Sequence, residues 1–148
     1  MIHFQERRLL AYPIDCVYDL ISNMEAYPSF VPWCQKCTII ERSSPHQLLC
    51  EMNVGFETIF TSYISHVTLT PQERVHVTGD SHVFHHLSTE WQLTSLGKNM
   101  THVTFILSFQ FKSDTLHFIA EKSFKKIAPR IMGAFEDEIK RNMSKRQN

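Results

Sequence analysis

An α+β domain, with a long C-terminal helix closing over a curved antiparallel sheet, is the fold class the sequence predicts. Three features point to it: a middle stretch with a period of two, a C-terminal apolar stripe at helical spacing, and an early strand-then-helix segment broken by prolines. At 148 residues the chain suffices for one such domain, and a globule of this size buries roughly 70% of the surface its unfolded chain exposes.

Residues 2–11 alternate weakly and stop at Tyr12-Pro13, where Pro13 suits the first turn of a helix carrying Val17, Leu20 and Ile21. Between Asn23 and Trp33, Pro28 and Pro32 rule out one long helix and predict a short second helix followed by an apolar loop. From Cys34 to Lys112 the period is two, with runs at 38–40, 48–54, 58–69 and 74–78 separated by Ser43-Ser44-Pro45 and Thr70-Pro71. This predicts six strands continuing the sheet as an antiparallel meander. Its last strand is the clearest: Val103, Phe105, Leu107, Phe109 and Phe111 alternate with a mostly polar set, so one face is buried. Gly55 marks a bulge or sharp bend, or the place where one strand ends and the next begins. Phe84 and Leu87 have opposite parity, so both can face inward only if a bulge falls between them.

Ser113-Asp114 is placed to cap a helix whose stripe is Leu116, Ile119, Ala120, Phe124, Ile127, Ile131, Phe135 and Ile139. Pro129 interrupts it at a cost of about 3 kcal/mol in an ordinary helix, which predicts a kink or break between residues 125 and 130. Residues 1–143 form the expected domain, and 144–148 a polar, frayed tail. A curved sheet facing one long helix encloses a fillable, hydrophobic space.

Composition narrows the function. Apolar residues make up 43% of the chain, and Phe supplies 11 aromatics against 4 Tyr and 2 Trp, adding area without hydrogen-bonding demands. Fifteen basic residues balance fifteen acidic ones, so no global field attracts nucleic acid, and no DNA contact is expected. No stretch reaches the roughly 20 apolar residues that span a bilayer, and the opening residues lack both a signal peptide's apolar core and the character of a transit peptide. Cys16, Cys34, Cys37 and Cys50 then read as reduced thiols. The expected location is the cytoplasm, with peripheral contact at an inner membrane left open.

Motifs for chemistry are sparse. Cys34-Gln35-Lys36-Cys37 has redox spacing, but the β-branched run Thr38-Ile39-Ile40 follows where an activating helix would have to start. As a zinc site it is half a set. His82 and His86 share a strand face while His85 points away, so at most two of them meet one ion; no metal site is assigned. Glu51, Glu57 and Glu90 read as solvated strand charges rather than an acid/base pair, so no catalytic residue is assigned. Four glycines are too few for most phosphate cradles. Phe30-Val31-Pro32-Trp33 stands out as a contiguous apolar loop: a plug over the core, a pocket lid, or a lip making transient membrane contact.

Several segments together resemble a known family. They are Ala26-Tyr27-Pro28-Ser29-Phe30-Val31-Pro32-Trp33-Cys34, Val54-Gly55-Phe56, Tyr63-x-Ser65-x-Val67, Phe84-x-His86-Leu87-x-x-x-Trp91, Phe109-x-Phe111-x-Ser113 and Ala134-Phe135-Glu136. In that order and spacing, from about Phe4 to Met143, they are similar to the coenzyme Q-binding START-domain family, which includes the bacterial ribosome-association toxin RatA. The resemblance implies a helix-grip (START-like) fold and ubiquinone or a related isoprenoid lipid as bound ligand, with no cofactor required. By matching position it implies Phe30, Pro32, Trp33, Phe56, Leu87, Trp91 and Phe135 as pocket or pocket-mouth residues. Val31, Phe84, Phe105, Phe109, Ile127 and Ile131 complete the candidate ligand-binding set. The chain departs from the family pattern at Thr61, where members commonly carry an acid, and at Pro129.

The leading expectation is a non-enzymatic quinone carrier or chaperone supporting respiratory electron transport. Two alternatives stand beside it. One is a RatA-type toxin that binds the large ribosomal subunit and blocks subunit association, for which Lys122, Lys125, Lys126, Arg130, Lys140-Arg141 and Lys145-Arg146 are the dense basic supply. The other is a polyketide cyclase or aromatase, a reading carried by fold analogy alone.

Overall fold

The computed structural model describes residues 1–80 and 82–147. Strand β1 (Ile2–Leu10) leads into helix α1 (Ile14–Ser22) and a 3-10 helix (Met24–Ser29). Six strands follow: β2 (Cys34–Ser44), β3 (Gln47–Phe56), β4 (Ile59–Thr70), β5 (Arg74–Asp80), β6 (Phe84–Gly97) and β7 (Met100–Phe111). The chain then runs through α2 (Asp114–Ile127), a 3-10 turn (Ala128–Arg130) and α3 (Ile131–Gln147).

All strands pair antiparallel in the order β1-β7-β6-β5-β4-β3-β2. The sheet is curved, and with the C-terminal helix it forms the helix-grip fold. Register shifts at three places between β2 and β3 bend that edge, as extra residues in a ladder do. At the expected place in β6, Phe84 pairs with Phe111 and His86 with Gln110, leaving His85 unpaired. That bulge turns Phe84 and Leu87 to the same face despite their parity.

The C-terminal stripe breaks where Pro129 enters, since its ring and missing N–H end the α2 ladder in a 3-10 turn. Ser113 caps α2, its Oγ accepting from the Leu116 N–H at 3.2 Å. Ile119 falls off the stripe and is 39% exposed. The helix runs on past Met143 to Gln147, and Asn148 lies outside the described residues.

Two halves of the concave face differ. Under α1 and the later turns of α3 the sheet face is closely packed, with Val17, Ile21, Val75, Val103, Met132 and Ile139 fully buried, and a second pocket of about 190 Å³ lies between the two helices beside Leu20 and Ile139. Under α2 the helix stands off the sheet. Phe124 meets the rings of Phe4 and Phe109 at 5.7 and 5.4 Å on one side, while the β3–β4 hairpin approaches from the other.

Candidate functional site

Alternate residues of each strand point to the concave face, and in the half beneath α2 they surround a cavity of about 230 Å³. Voids in protein interiors rarely exceed one water, which needs about 10–15 Å³ measured in the same way. A space this large is a feature of the fold, not a packing defect.

The walls follow from register. Met52, Val54 and Phe56 line it from β3, and Ile59, Thr61, Tyr63 and Ser65 from β4. The far wall is Phe84, Leu87, Thr89 and Trp91 of β6 with Phe105, Leu107, Phe109 and Phe111 of β7. Ala120, Ser123, Phe124 and Ile127 of α2, then Ile131 and Phe135 of α3, form the roof. No Lys, Arg, Asp, Glu or His is among the described residues lining it.

Of the ligand-binding set predicted from the sequence, Val31, Trp33, Phe56, Phe84, Leu87, Trp91, Phe105, Phe109, Ile127, Ile131 and Phe135 line the cavity. Phe30 and Pro32 do not. The loop places Val31 and Trp33 inward, so Pro32 is exposed. The Phe30 ring packs edge-on against Tyr27 at 5.8 Å and Phe135 at 5.1 Å, behind the wall instead of within it. Sequence reasoning missed Tyr63, Ser65, Thr61 and Thr89 as lining residues, although Tyr63 and Ser65 share the parity of buried Val67 along β4. Thr61 places a neutral hydroxyl on the wall where relatives were expected to carry an acid.

The polar groups at the cavity are few. Tyr27 Oη donates to the Ile21 carbonyl, so that phenol is occupied, and burial pushes its pKa well above the ordinary range. Burial likewise raises Tyr63. Ser65 is 0% exposed, and its Oγ has no hydrogen-bond partner. Burial pushes the Cys34 thiol up to about 11, so at neutral pH it is protonated. Cys34 and Cys37 both lie in β2 with no helix beginning beside them. A hydrogen bond with Cys50, followed by burial, raises Cys37. This is the opposite of what a redox-active thiol needs.

The remaining titratable candidates lie elsewhere. His82, His85 and His86 are exposed, with His86 Nε2 at 2.8 Å from Ser108 Oγ. Glu90 is not a freely solvated charge: its side chain is 16% exposed and held by Arg74, because β6 packs it between neighbouring strands. Glu57 sits in the β3–β4 turn with φ of 56°. Its carboxylate accepts from Ser123 Oγ at 3.2 Å and Lys126 Nζ at 2.7 Å, tying the hairpin to α2 beside the cavity. The Lys126 hydrogen bond holds that carboxyl below the usual range.

A family model described as polyketide cyclase/dehydrase and lipid transport matches residues 10–136. The chain belongs to this family. Among curated members of related sequence, the coenzyme Q-binding protein COQ10 homolog B of Xenopus laevis is 28% identical over 144 residues, covering 95% of this chain and 59% of the frog protein. The chain thus spans little more than half of that relative. The ribosome association toxin RatA of Pseudomonas aeruginosa is 25% identical over 133 residues, covering 90% of this chain and 92% of the toxin. Among solved structures, the Zhui aromatase/cyclase from Streptomyces sp. R1128 superposes with a TM-score of 0.84 at 16% identity, covering 96% and 95% of the two chains. A START superfamily protein from Mycobacterium smegmatis gives 0.79 at 17% identity, covering 94% and 97%. At those identities the likeness shows the shared helix-grip, START-like fold. No helix of the described residues is long and apolar enough to cross a membrane.

Proposed function

We propose that this chain binds ubiquinone or a related isoprenoid lipid in the cavity beneath α2 and serves as a carrier or chaperone for it, without catalysing a reaction. The observation that supports this is a 230 Å³ space whose described lining contains no charged residue. An uncharged, largely hydrocarbon ligand suits such walls, because each buried CH₂ contributes about 0.8 kcal/mol. A carboxylate or phosphate head would be desolvated there without a counter-charge. No carboxylate, imidazole or amine is among the described residues lining the cavity, and the likeness to an aromatase/cyclase at 16% identity is one of fold. The coenzyme Q-binding name of the frog relative agrees with the ligand class.

The test is organic extraction of the purified protein followed by mass spectrometry. A co-purifying prenylated quinone in near-stoichiometric amount is expected. Repeated preparations free of prenyl lipid, with no uptake of added short-chain ubiquinone, overturn the reading.

A second reading rests on the RatA match, which covers nearly all of both chains. Lys122, Lys125 and Arg130 are exposed on α2 and the turn after it, as a ribosomal RNA contact requires. Sucrose-gradient profiles with added protein decide it: loss of assembled ribosomes with growth of free subunits supports this reading, and unchanged profiles remove it.

A further inference from the structure

We propose that Ser65 is the polar anchor of the cavity, its hydroxyl donating a hydrogen bond to a carbonyl oxygen on the ligand's ring, with Tyr63 as a second donor beside it. This deepens the lipid-binding reading and rests on it.

Ser65 lies at the inner limit of the cavity. From the hairpin inward, the concave-facing residues of β4 are Ile59, Thr61, Tyr63, Ser65 and Val67; the first four line the space, and Val67 belongs to the solid core. Its Oγ is wholly buried and bonded to nothing in the protein. Buried hydroxyls are nearly always paired, and an orphan at a cavity wall takes its partner from what fills the cavity, an ordered water or a ligand oxygen. The Ser65 hydroxyl is close enough to the Tyr63 phenol to favour its ionised form, yet outside hydrogen-bond geometry with it. Tyr63 stays protonated, because burial raises its pKa.

Two O–H donors with no base and no cation among the described lining call for a neutral acceptor, and a carbonyl oxygen has two lone pairs to offer. Ser65 faces Gly79 on β5, and Leu87 reaches across that glycine so closely that a Cβ there would lie 2.4 Å from Leu87 Cδ2. The wall beside Ser65 is therefore the Leu87 side chain, seated over the glycine backbone. At about 230 Å³ the cavity is below the roughly 300 Å³ at which pockets for drug-sized ligands begin. A ring and the start of a tail fill it, and the remaining tail leaves past Trp33 and the β3–β4 hairpin.

The probes are decylubiquinone and phenyldecane, which share a ten-carbon tail and differ in the carbonyl-bearing ring. Calorimetric titration of the parent chain and of Ser65→Ala is expected to show decylubiquinone weakened about five- to tenfold by the substitution. Phenyldecane should change less than twofold. In the infrared, one quinone carbonyl band should move to lower frequency on binding the parent and return in Ser65→Ala, while Tyr63→Phe should move it part of the way back. Both probes binding, with the same affinity ratio and carbonyl band in parent and Ser65→Ala, overturns the anchor and leaves lipid binding standing. Failure of both probes to bind the parent removes the lipid reading and the anchor with it.

Discussion

Lys126 Nζ donates to Glu57 Oε1 at 2.7 Å, joining the turn of the β3–β4 hairpin to the last turn of α2 on the rim of the cavity. Both side chains are substantially exposed, so the pair contributes little to global stability. Its position makes it a latch on the route to the interior. Glu57→Gln and Lys126→Met are expected to leave the unfolding midpoint unchanged and to speed release of decylubiquinone several-fold in stopped-flow fluorescence. Because the Lys126 hydrogen bond depresses the Glu57 pKa, the latch is intact at neutral pH and is lost only as pH falls through that depressed value, below the ordinary Glu pKa of about 4.3. Release in the parent should therefore accelerate only in strong acid; acceleration already between pH 7 and 6 contradicts the assignment.

Phe135 is the pivot of the aromatic cluster between solid core and cavity. Its ring lies 5.2 Å from Tyr27, 5.1 Å from Phe30 and 4.6 Å from Trp91, and the residue is 5% exposed. Phe135→Ala leaves these rings facing a void and is expected to cost about 3–5 kcal/mol in urea denaturation. A loss below 1 kcal/mol means that the cluster closes over the gap.

The fold was legible wherever local rules govern. The parity conflict between Phe84 and Leu87 admits one cheap solution, a bulge, and His85 is left over in the ladder. Pro129 breaks the helix for reasons contained in its own ring. Phe30 and Pro32 stand off the lining, and a loop has no period from which that could be read. Ser65 was overlooked for a different reason: its inward parity is readable, but whether an inward residue meets core or empty space depends on how far α2 stands from the sheet. The Glu57–Lys126 contact spans 69 residues and has no sequence signature at all.

With no partner in the protein, the Ser65 hydroxyl carries a cost. A buried donor without a partner costs about 1–3 kcal/mol, and replacing it by a methyl of similar size removes that penalty. Ser65→Ala is expected to stabilise the lipid-free protein by about 1 kcal/mol, a rise of about 2–4 °C in Tm. Scanning calorimetry on delipidated samples checks this. A lowered Tm shows that the hydroxyl already has a partner in the empty protein.

Alkaline pH should weaken the fold. Burial holds the Cys34 thiol up at about 11 and raises the phenols of Tyr27 and Tyr63 above their usual range. The unfolded chain gives up these protons near pH 8.5 for Cys and 10 for Tyr. Between the unfolded and folded values the native state binds more protons, so stability falls as pH rises. The urea midpoint should be level from pH 7 to 8, decline gently above 8.5 and drop more steeply past 10. A midpoint unchanged to pH 10.5 contradicts the burial of these thiol and phenol groups.

Trp33 and Phe30 are three residues apart in one apolar loop, yet the structure separates their roles. Trp33 lines the mouth of the cavity and is partly exposed, whereas the Phe30 ring lies outside the lining and supports Phe135 from behind. Trp33→Ala is therefore expected to weaken decylubiquinone about tenfold, roughly 1.4 kcal/mol by the usual relation between affinity and free energy, with a small change in stability. Phe30→Ala should do the reverse, lowering stability by about 2–3 kcal/mol through lost packing while the folded fraction keeps its affinity within about twofold. Paired denaturation and binding curves on both variants test this. If Phe30→Ala weakens binding as much as Trp33→Ala, the loop moves as a unit when ligand enters, and the wall described above is not the one that meets the lipid.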